Sequence, residues 1–177
     1  MSTTLHDART ANLLGALALA LTGRIAARVR RHPNANDSAA AALNLISFYD
    51  GWSNNELARA LQLSHPATVR LVDRLVADGL VQRRSGSDKR AVAFTLTRRG
   101  AERGAKIIGA RSAALQNVTE ILSAGEKRQL DRILEKLLTA MTETADDGNT
   151  ICRLCDEGAC PPDRCPVHQA ALRHEAA

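Results

Sequence analysis

A mainly helical fold carrying one small β-hairpin is predicted by three observations. The 177-residue chain is rich in Leu and Ala and only 2% aromatic, so its core must come from aliphatic helix stripes. Apolar residues recur at spacings of three and four near both ends, as in Leu14, Leu17, Leu21 and Ile25. Between these ends, residues 53–100 read as a helix, a tight turn, a second helix and a basic hairpin. Together these parts make a winged helix-turn-helix framed by long terminal helices.

Taken in order, residues 8–31 predict the first long helix, His32-Pro33 ends it, and 34–37 form a loop. Ser38 caps a helix over 39–49 that packs Leu43, Ile46 and Phe48 inward. Ser53 and Glu56 have capping-box spacing, and Leu57, Ala58 and Leu61 give the helix they start one apolar stripe. Gln62-Leu63 leaves only a tight turn before Ser64, a second cap, with Pro66 tolerated in the first turn that follows. Val69, Val72, Leu75 and Val76 read as the buried side of this second helix, which leaves Ser64, His65, Ala67, Thr68, Arg70 and Arg74 facing outward. Gly79 fits a left-handed helix stop, and 80–84 and 91–96 read as strands around the turn Ser85-Gly86-Ser87-Asp88.

Beyond the hairpin, Thr97 caps a helix running to 119, and Ser123 with Glu126 repeats the capping box. Leu130, Ile133, Leu134, Leu137, Leu138 and Met141 then form one continuous stripe, which calls for a partner surface. Asp146-Asp147-Gly148-Asn149 reads as an acidic linker. The organisation expected is a dimerisation helix in 1–37, the winged helix-turn-helix in 38–100, further dimerisation helices in 101–145 and a four-cysteine tail in 146–177.

Charge narrows the partner. From Ser64 to Gly100 there are eight basic residues against three acidic ones, an excess that equals the formal net charge of the whole chain, +5. With a sequence pI near 9.4 this points to an acidic polymer. No apolar run approaches bilayer length in this reading. The short apolar stretch 13–21 is spoiled as a signal peptide by Asp7 and by Arg24, Arg28, Arg30 and Arg31, so the cytoplasm is expected and no membrane partner.

Leu57-Ala58, Ser64, Thr68, the run Leu71-Val72-Asp73-Arg74-Leu75, Gly79-Leu80-Val81, Arg83, Asp88 with Arg90, and Leu96-Thr97 with Gly100 resemble the signature of MarR-family regulators over residues 39–141. The resemblance implies a homodimeric DNA-binding regulator, acting as a repressor on a near-palindromic duplex. It also implies that the second helix enters the major groove while the wing lies along the minor groove or backbone. On that basis Ser64, His65, Ala67, Thr68, Arg70 and Arg74 are groove candidates and Lys89 and Arg90 wing candidates. Asp88 would brace Arg90, since a bare carboxylate repels phosphate. The family's phenolic effectors make the cluster Phe48, Tyr49 and Trp52 a small-molecule candidate, beside its simpler reading as core.

The cysteines lie outside that resemblance. Cys152, Cys155, Cys160 and Cys165 are all the chain has, spaced C-x2-C-x4-C-x4-C in a segment too polar to have a core of its own. Such spacing suits one metal centre per chain. Zn2+ fits a knuckle-like loop in which Cys160 stands for the histidine, although the knuckle's glycines are missing. An iron–sulfur cluster fits the four thiols and the prolines after Cys160 and Cys165. Reversible disulfides are the third chemistry, and His168 is either a substitute ligand or an exposed tail residue. A centre placed after the dimer helix would alter the spacing of two reading heads or simply staple the tail.

Two other functions compete: a thiol or metal redox protein using Cys152 and Cys155, and a winged-helix protein-interaction module with a structural zinc. No nucleophile, base and orienter can be assembled from the five histidines, so an enzyme is not expected. If the wing grips phosphate, Arg90→Ala weakens duplex binding and lowers the slope of log affinity against log salt by about one. Anisotropy titrations at several salt concentrations measure this, and an unchanged slope rejects the wing assignment.

Overall fold

The computed structural model describes residues 2–29, 37–85 and 92–175. Along them run α1 (Ser2–Val29), α2 (Asp37–Phe48), α3 (Asn54–Leu61), α4 (His65–Ala77), β1 (Val81–Ser85), β2 (Val92–Leu96), α5 (Arg98–Thr119), α6 (Ala124–Met141), α7 (Ala145–Cys152) and α8 (Pro166–Glu175).

The core gathers around α2, in which every residue from Ala39 to Ile46 is buried. Four successive alanines let neighbouring helices approach it closely, and Leu43, Leu45 and Ile46 then interlock with Leu57, Leu71, Val72, Phe94 and Ile107. Ser38 lies inside the first turn rather than at the cap, because the helix already starts at Asp37, whose carboxylate suits the positive end of the helix dipole. Phe48 is half-buried at its far end.

α3 begins at the expected capping box. Glu56 Oε2 accepts the Ser53 backbone N–H at 2.6 Å and the Ser53 hydroxyl at 2.7 Å. These bonds hold the Glu56 carboxyl below its ordinary pKa, against a smaller opposing effect of burial. α4 stops at Gly79, whose φ of +67° is left-handed. The Leu80 N–H returns to the Leu75 carbonyl at 2.9 Å, which satisfies an orphan acceptor of the last turn.

β1 and β2 pair antiparallel with Val81 opposite Leu96 and Arg83 opposite Phe94. The expected turn residues 86–88 lie outside the described residues. β2 is bonded on its other edge too: the Gly51 N–H donates to the Phe94 carbonyl at 3.3 Å, and the Phe94 N–H to the Trp52 carbonyl at 3.1 Å. At the base of the hairpin, Thr97 caps α5 by accepting the Gly100 N–H at 3.0 Å, and its own N–H and hydroxyl both reach the Leu80 carbonyl. α5 crosses so closely there that a Cβ on residue 100 would sit 1.9 Å from the Leu80 oxygen.

Three expectations need correction. Asp146 to Asn149 do not form a linker but lie within α7, because Thr144 and Asp147 make a further capping box in which Asp147 Oδ2 accepts the Thr144 N–H at 2.7 Å. The tail is not too polar for a core, since Cys165, Val167, Ala170 and Ala171 are buried. Finally, Asp7–Val29 reaches 23 residues with mean hydropathy 1.3, long and apolar enough by length and composition to cross a bilayer, contrary to the sequence reading. Interspersed Ala and Gly continue the apolar character past 13–21. Leu13, Leu14, Leu17 and Leu19 of α1 and Ile133, Leu134, Leu137 and Met141 of the α6 stripe remain exposed in the single chain, Leu14 at 51% and Met141 at 64%, while Leu21, Leu130 and Leu138 are half-buried. α6 buries no residue at all.

Gly100→Ala should destabilise the fold by about 1–3 kcal/mol or more, since the clash is with backbone. Urea unfolding checks it, and a neutral result rejects the close approach. Glu56→Ala should cost roughly 0.3–1 kcal/mol at neutral pH. A lowered carboxyl pKa stabilises the fold above the unfolded value and is lost as pH falls through the folded one. The mutant and parent curves should therefore converge on acidification.

Candidate nucleic-acid interface and thiol cluster

The turn between α3 and α4 is made by Gln62 in the left-handed region at φ 53°, which lets Leu63 N–H bond the Ala58 carbonyl at 3.0 Å and aims the chain into the Ser64 start. α4 rests on Thr68, Leu71, Val72 and Leu75, all buried. This is a helical stripe of spacing three, four and seven, turned from the one expected; Val69 and Val76 are only half-buried.

That rotation moves Thr68 off the outward face. Its side chain is fully buried, with the hydroxyl donating to the Ser64 carbonyl at 3.2 Å, so it supports α4 rather than meeting a ligand. Ser64, His65, Arg70 and Arg74 are exposed as expected and Ala67 is half-buried. A shallow depression of about 440 Å³ lies along this face between Ala67, Arg70, Leu71 and Arg74.

Two contacts were not foreseen from the sequence. His65 Nδ1 and Asn55 Oδ1 lie 2.9 Å apart and tie the starts of α3 and α4 together. Arg83 of β1 pairs with Asp73 of α4, fixing the strand to the helix and cancelling one carboxylate beside the basic face. Neither can be seen without the fold, as each spans ten residues. The wing residues Asp88, Lys89 and Arg90 lie outside the described residues.

The second assembly is the tail. Cys152, Cys155, Cys160 and Cys165 line one cavity of about 210 Å³ together with Tyr49, Glu157 and His168. All four thiols are free. Cys152 lies within the electrostatic and hydrogen-bonding influence of Cys155 and Cys165, and Cys160 within that of Cys165. Among the described residues, no three His, Cys, Asp or Glu side chains are already gathered in metal-holding geometry.

The bond from Cys152 lowers the Cys155 thiol to about 6, helped by the Arg111 guanidinium and opposed by burial. Its donor Cys152 is pushed the other way. Cys160 is raised to about 11, chiefly by burial. Cys165 Sγ accepts the His168 backbone N–H at 3.5 Å at the start of α8.

The cluster is seated on the reading head rather than beyond it. Asn44 of α2, buried, donates from Nδ2 to the carbonyls of Arg153 at 3.2 Å and Cys155 at 3.0 Å. Leu154 between them packs against the main core. Tyr49 stacks on Trp52 with ring centroids 4.2 Å apart.

Comparison with known proteins agrees with this architecture. Residues 35–91 match the MarR family model. The transcriptional repressor MprA of Escherichia coli K12 is 33% identical over 95 residues, which are 53% of this chain and 54% of the repressor; the chain thus spans about half the length of the curated relatives it matches. A MarR family protein from Bacillus stearothermophilus superimposes with a TM-score of 0.70 at 28% identity, covering 77% of this chain and 96% of that one. A Mycobacterium tuberculosis MarR family protein solved with p-aminosalicylic acid gives 0.58 at 28% identity, with 72% and 96% covered. The chain is thus similar to the MarR family over residues 35–91, and its described residues share the fold of solved MarR family proteins.

Proposed function

We propose that this chain is a cytoplasmic, MarR-type transcriptional regulator that represses by occupying a near-palindromic duplex as a homodimer. The observation that carries the reading is the exposed face of α4, where Ser64, His65, Arg70 and Arg74 stand on a buried stripe inside the family match. A helix presented in this way suits the major groove, with arginines available to bases and phosphates. The name of the E. coli relative supports repression. MarR proteins are not enzymes, which weighs against the thiol redox alternative.

Dimerisation accounts for the apolar faces of α1 and α6. Ile133, Leu134, Leu137 and Met141 lie exposed along one side of α6, and Leu13, Leu14 and Leu17 along α1. Burying each such side chain is worth about 1.5–3 kcal/mol, so a second copy of these helices is the natural cover. The salicylate-type ligand of the M. tuberculosis structure supports a small aromatic effector, for which Tyr49 and Trp52 are the candidate contacts. In the same reading the four-cysteine tail is a metal or redox centre that modulates or stabilises the dimer, with Zn2+ and an iron–sulfur cluster as its two candidate occupants.

Binding to a duplex selected from random sequence tests the core of the proposal: one sequence should be shifted sharply and with strong salt dependence. Leu134→Glu with Leu137→Glu should halve the mass in sedimentation and weaken that binding by about tenfold or more. Helicity by circular dichroism should be retained. A variant that stays dimeric, or binds as well when monomeric, rejects the dimer assignment.

A further inference from the structure

The thiols differ from four buried cysteines in how their surroundings are built. The segment from Cys152 to Cys165 is folded by its own backbone bonds, with the Cys155 N–H on the Cys152 carbonyl at 2.8 Å and the Cys160 N–H on the Asp156 carbonyl at 3.0 Å. These turns bring both halves of the motif to one cavity. All four thiols line that cavity, although among the described residues no three of them are yet gathered in metal-holding geometry. A tetrahedral ion with metal–sulfur bonds of about 2.3 Å sets its sulfurs about 3.8 Å apart, and one such ion fits a cavity of about 210 Å³ lined by all four thiols. An iron–sulfur cluster interposes several irons and sulfides and spreads its four thiolates further. Arg111 offsets the negative charge that four thiolates leave around a divalent ion, and the His168 backbone N–H donates to the Cys165 sulfur.

The same cluster touches the reading head at two places. Asn44 ties the carbonyls of Arg153 and Cys155 to α2. Tyr49 lines the cavity and stacks on Trp52, whose carbonyl holds the Phe94 N–H of the wing strand.

We propose that Cys152, Cys155, Cys160 and Cys165 bind one mononuclear thiophilic ion of the Zn2+ class, and that its binding fixes the reading head through Asn44 and Tyr49 and tightens duplex binding. The regulatory half of this rests on the DNA-binding reading above. The ion draws the four sulfurs together, and because Asn44 anchors the loop to α2, the loop closes against the head instead of away from it. The ligand is identified by its chemistry: a soft-to-borderline divalent cation that accepts four thiolates and expels their protons.

The test uses full-length, reduced, chelator-treated protein titrated with Zn2+ alone. Metal content, emission of Trp52, which is the sole tryptophan, and affinity for the selected duplex are read in parallel. One zinc per chain is expected, absent in Cys155→Ser with Cys165→Ser. Trp52 emission should change and saturate at one equivalent, and duplex affinity should tighten about fivefold or more. Asn44→Ala should still take up one zinc while its zinc dependence of affinity falls within about twofold. Should that variant fail to fold, Tyr49→Leu, read by duplex affinity, carries the same test.

Duplex binding without any zinc uptake, or a visibly absorbing iron centre in the purified protein, overturns the mononuclear site and leaves the regulator reading standing. Zinc uptake with unchanged emission and affinity overturns the coupling. If no duplex is bound with or without zinc, the regulator reading fails instead, and zinc stoichiometry with Trp52 emission still decides the site.

Discussion

A helix buried on every side must satisfy whatever polar group it carries, and in α2 that group is Asn44. It is the only polar residue in the buried run Ala39 to Ile46. An amide left unpaired there would cost about 1–3 kcal/mol. Its Nδ2 instead donates to two carbonyls more than a hundred residues away, on the loop that carries the first two cysteines. Leu154 is pressed between those carbonyls onto the core that α2 organises. The tail is therefore part of the head's packing, although it falls last in the chain.

The same scarcity of large side chains shapes the rest. With few aromatic residues, the core depends on alanines that allow close approach, and Gly100 against the Leu80 carbonyl is the tightest case. Such a core covers the winged helix but not the long helices on either side of it. α1 and α6 end with apolar faces turned to solvent, and α8 covers α6 only near its end, where His174 Nε2 meets the Thr142 carbonyl at 3.0 Å. The apolar face left on α6 and the exposed basic face of α4 are both left uncovered by the one chain, and the proposed twofold partner and duplex would answer them separately.

Most of this architecture was legible because it is local. Ser53 with Glu56, Ser123 with Glu126 and Gly79 announce helix ends through bonds that close within a few residues, and the structure places them as expected. The buried side of α4 was read one step out of turn, since Thr68 looks polar in sequence yet spends its hydroxyl on the preceding turn and packs its methyl inward. Asp146 and Asp147 looked like a linker because acidic residues without apolar neighbours signal solvent. The capping geometry of Thr144 with Asp147 makes them a helix start. Asn44, His65 with Asn55, and Arg83 with Asp73 were invisible for a different reason: each has meaning only through a partner that the fold supplies. The thiols' spacing was plain, but their seat was not.

That seat changes what a signal at the cysteines can do. A centre strung beyond a dimer helix acts by altering the separation of two heads, which leaves each head's own geometry intact. Here α7 packs on α3, and the Arg59–Asp146 pair at 3.7 Å across that contact is too exposed to hold it alone. The contact depends on Asn44 and on Leu154, both inside one protomer. Under the proposed coupling, a change in the thiol loop would therefore act on α2 and α3 of its own chain before it reached any partner. Since α3 sets the entry of α4 through the Gln62 turn and the His65–Asn55 contact, the quantity that the proposed coupling would change is the pose of α4 itself. In the proposed dimer, head spacing would move only secondarily, through α8 on α6. Control of this kind acts on a single half-site as well as on a pair, which distinguishes it physically from a spacing mechanism.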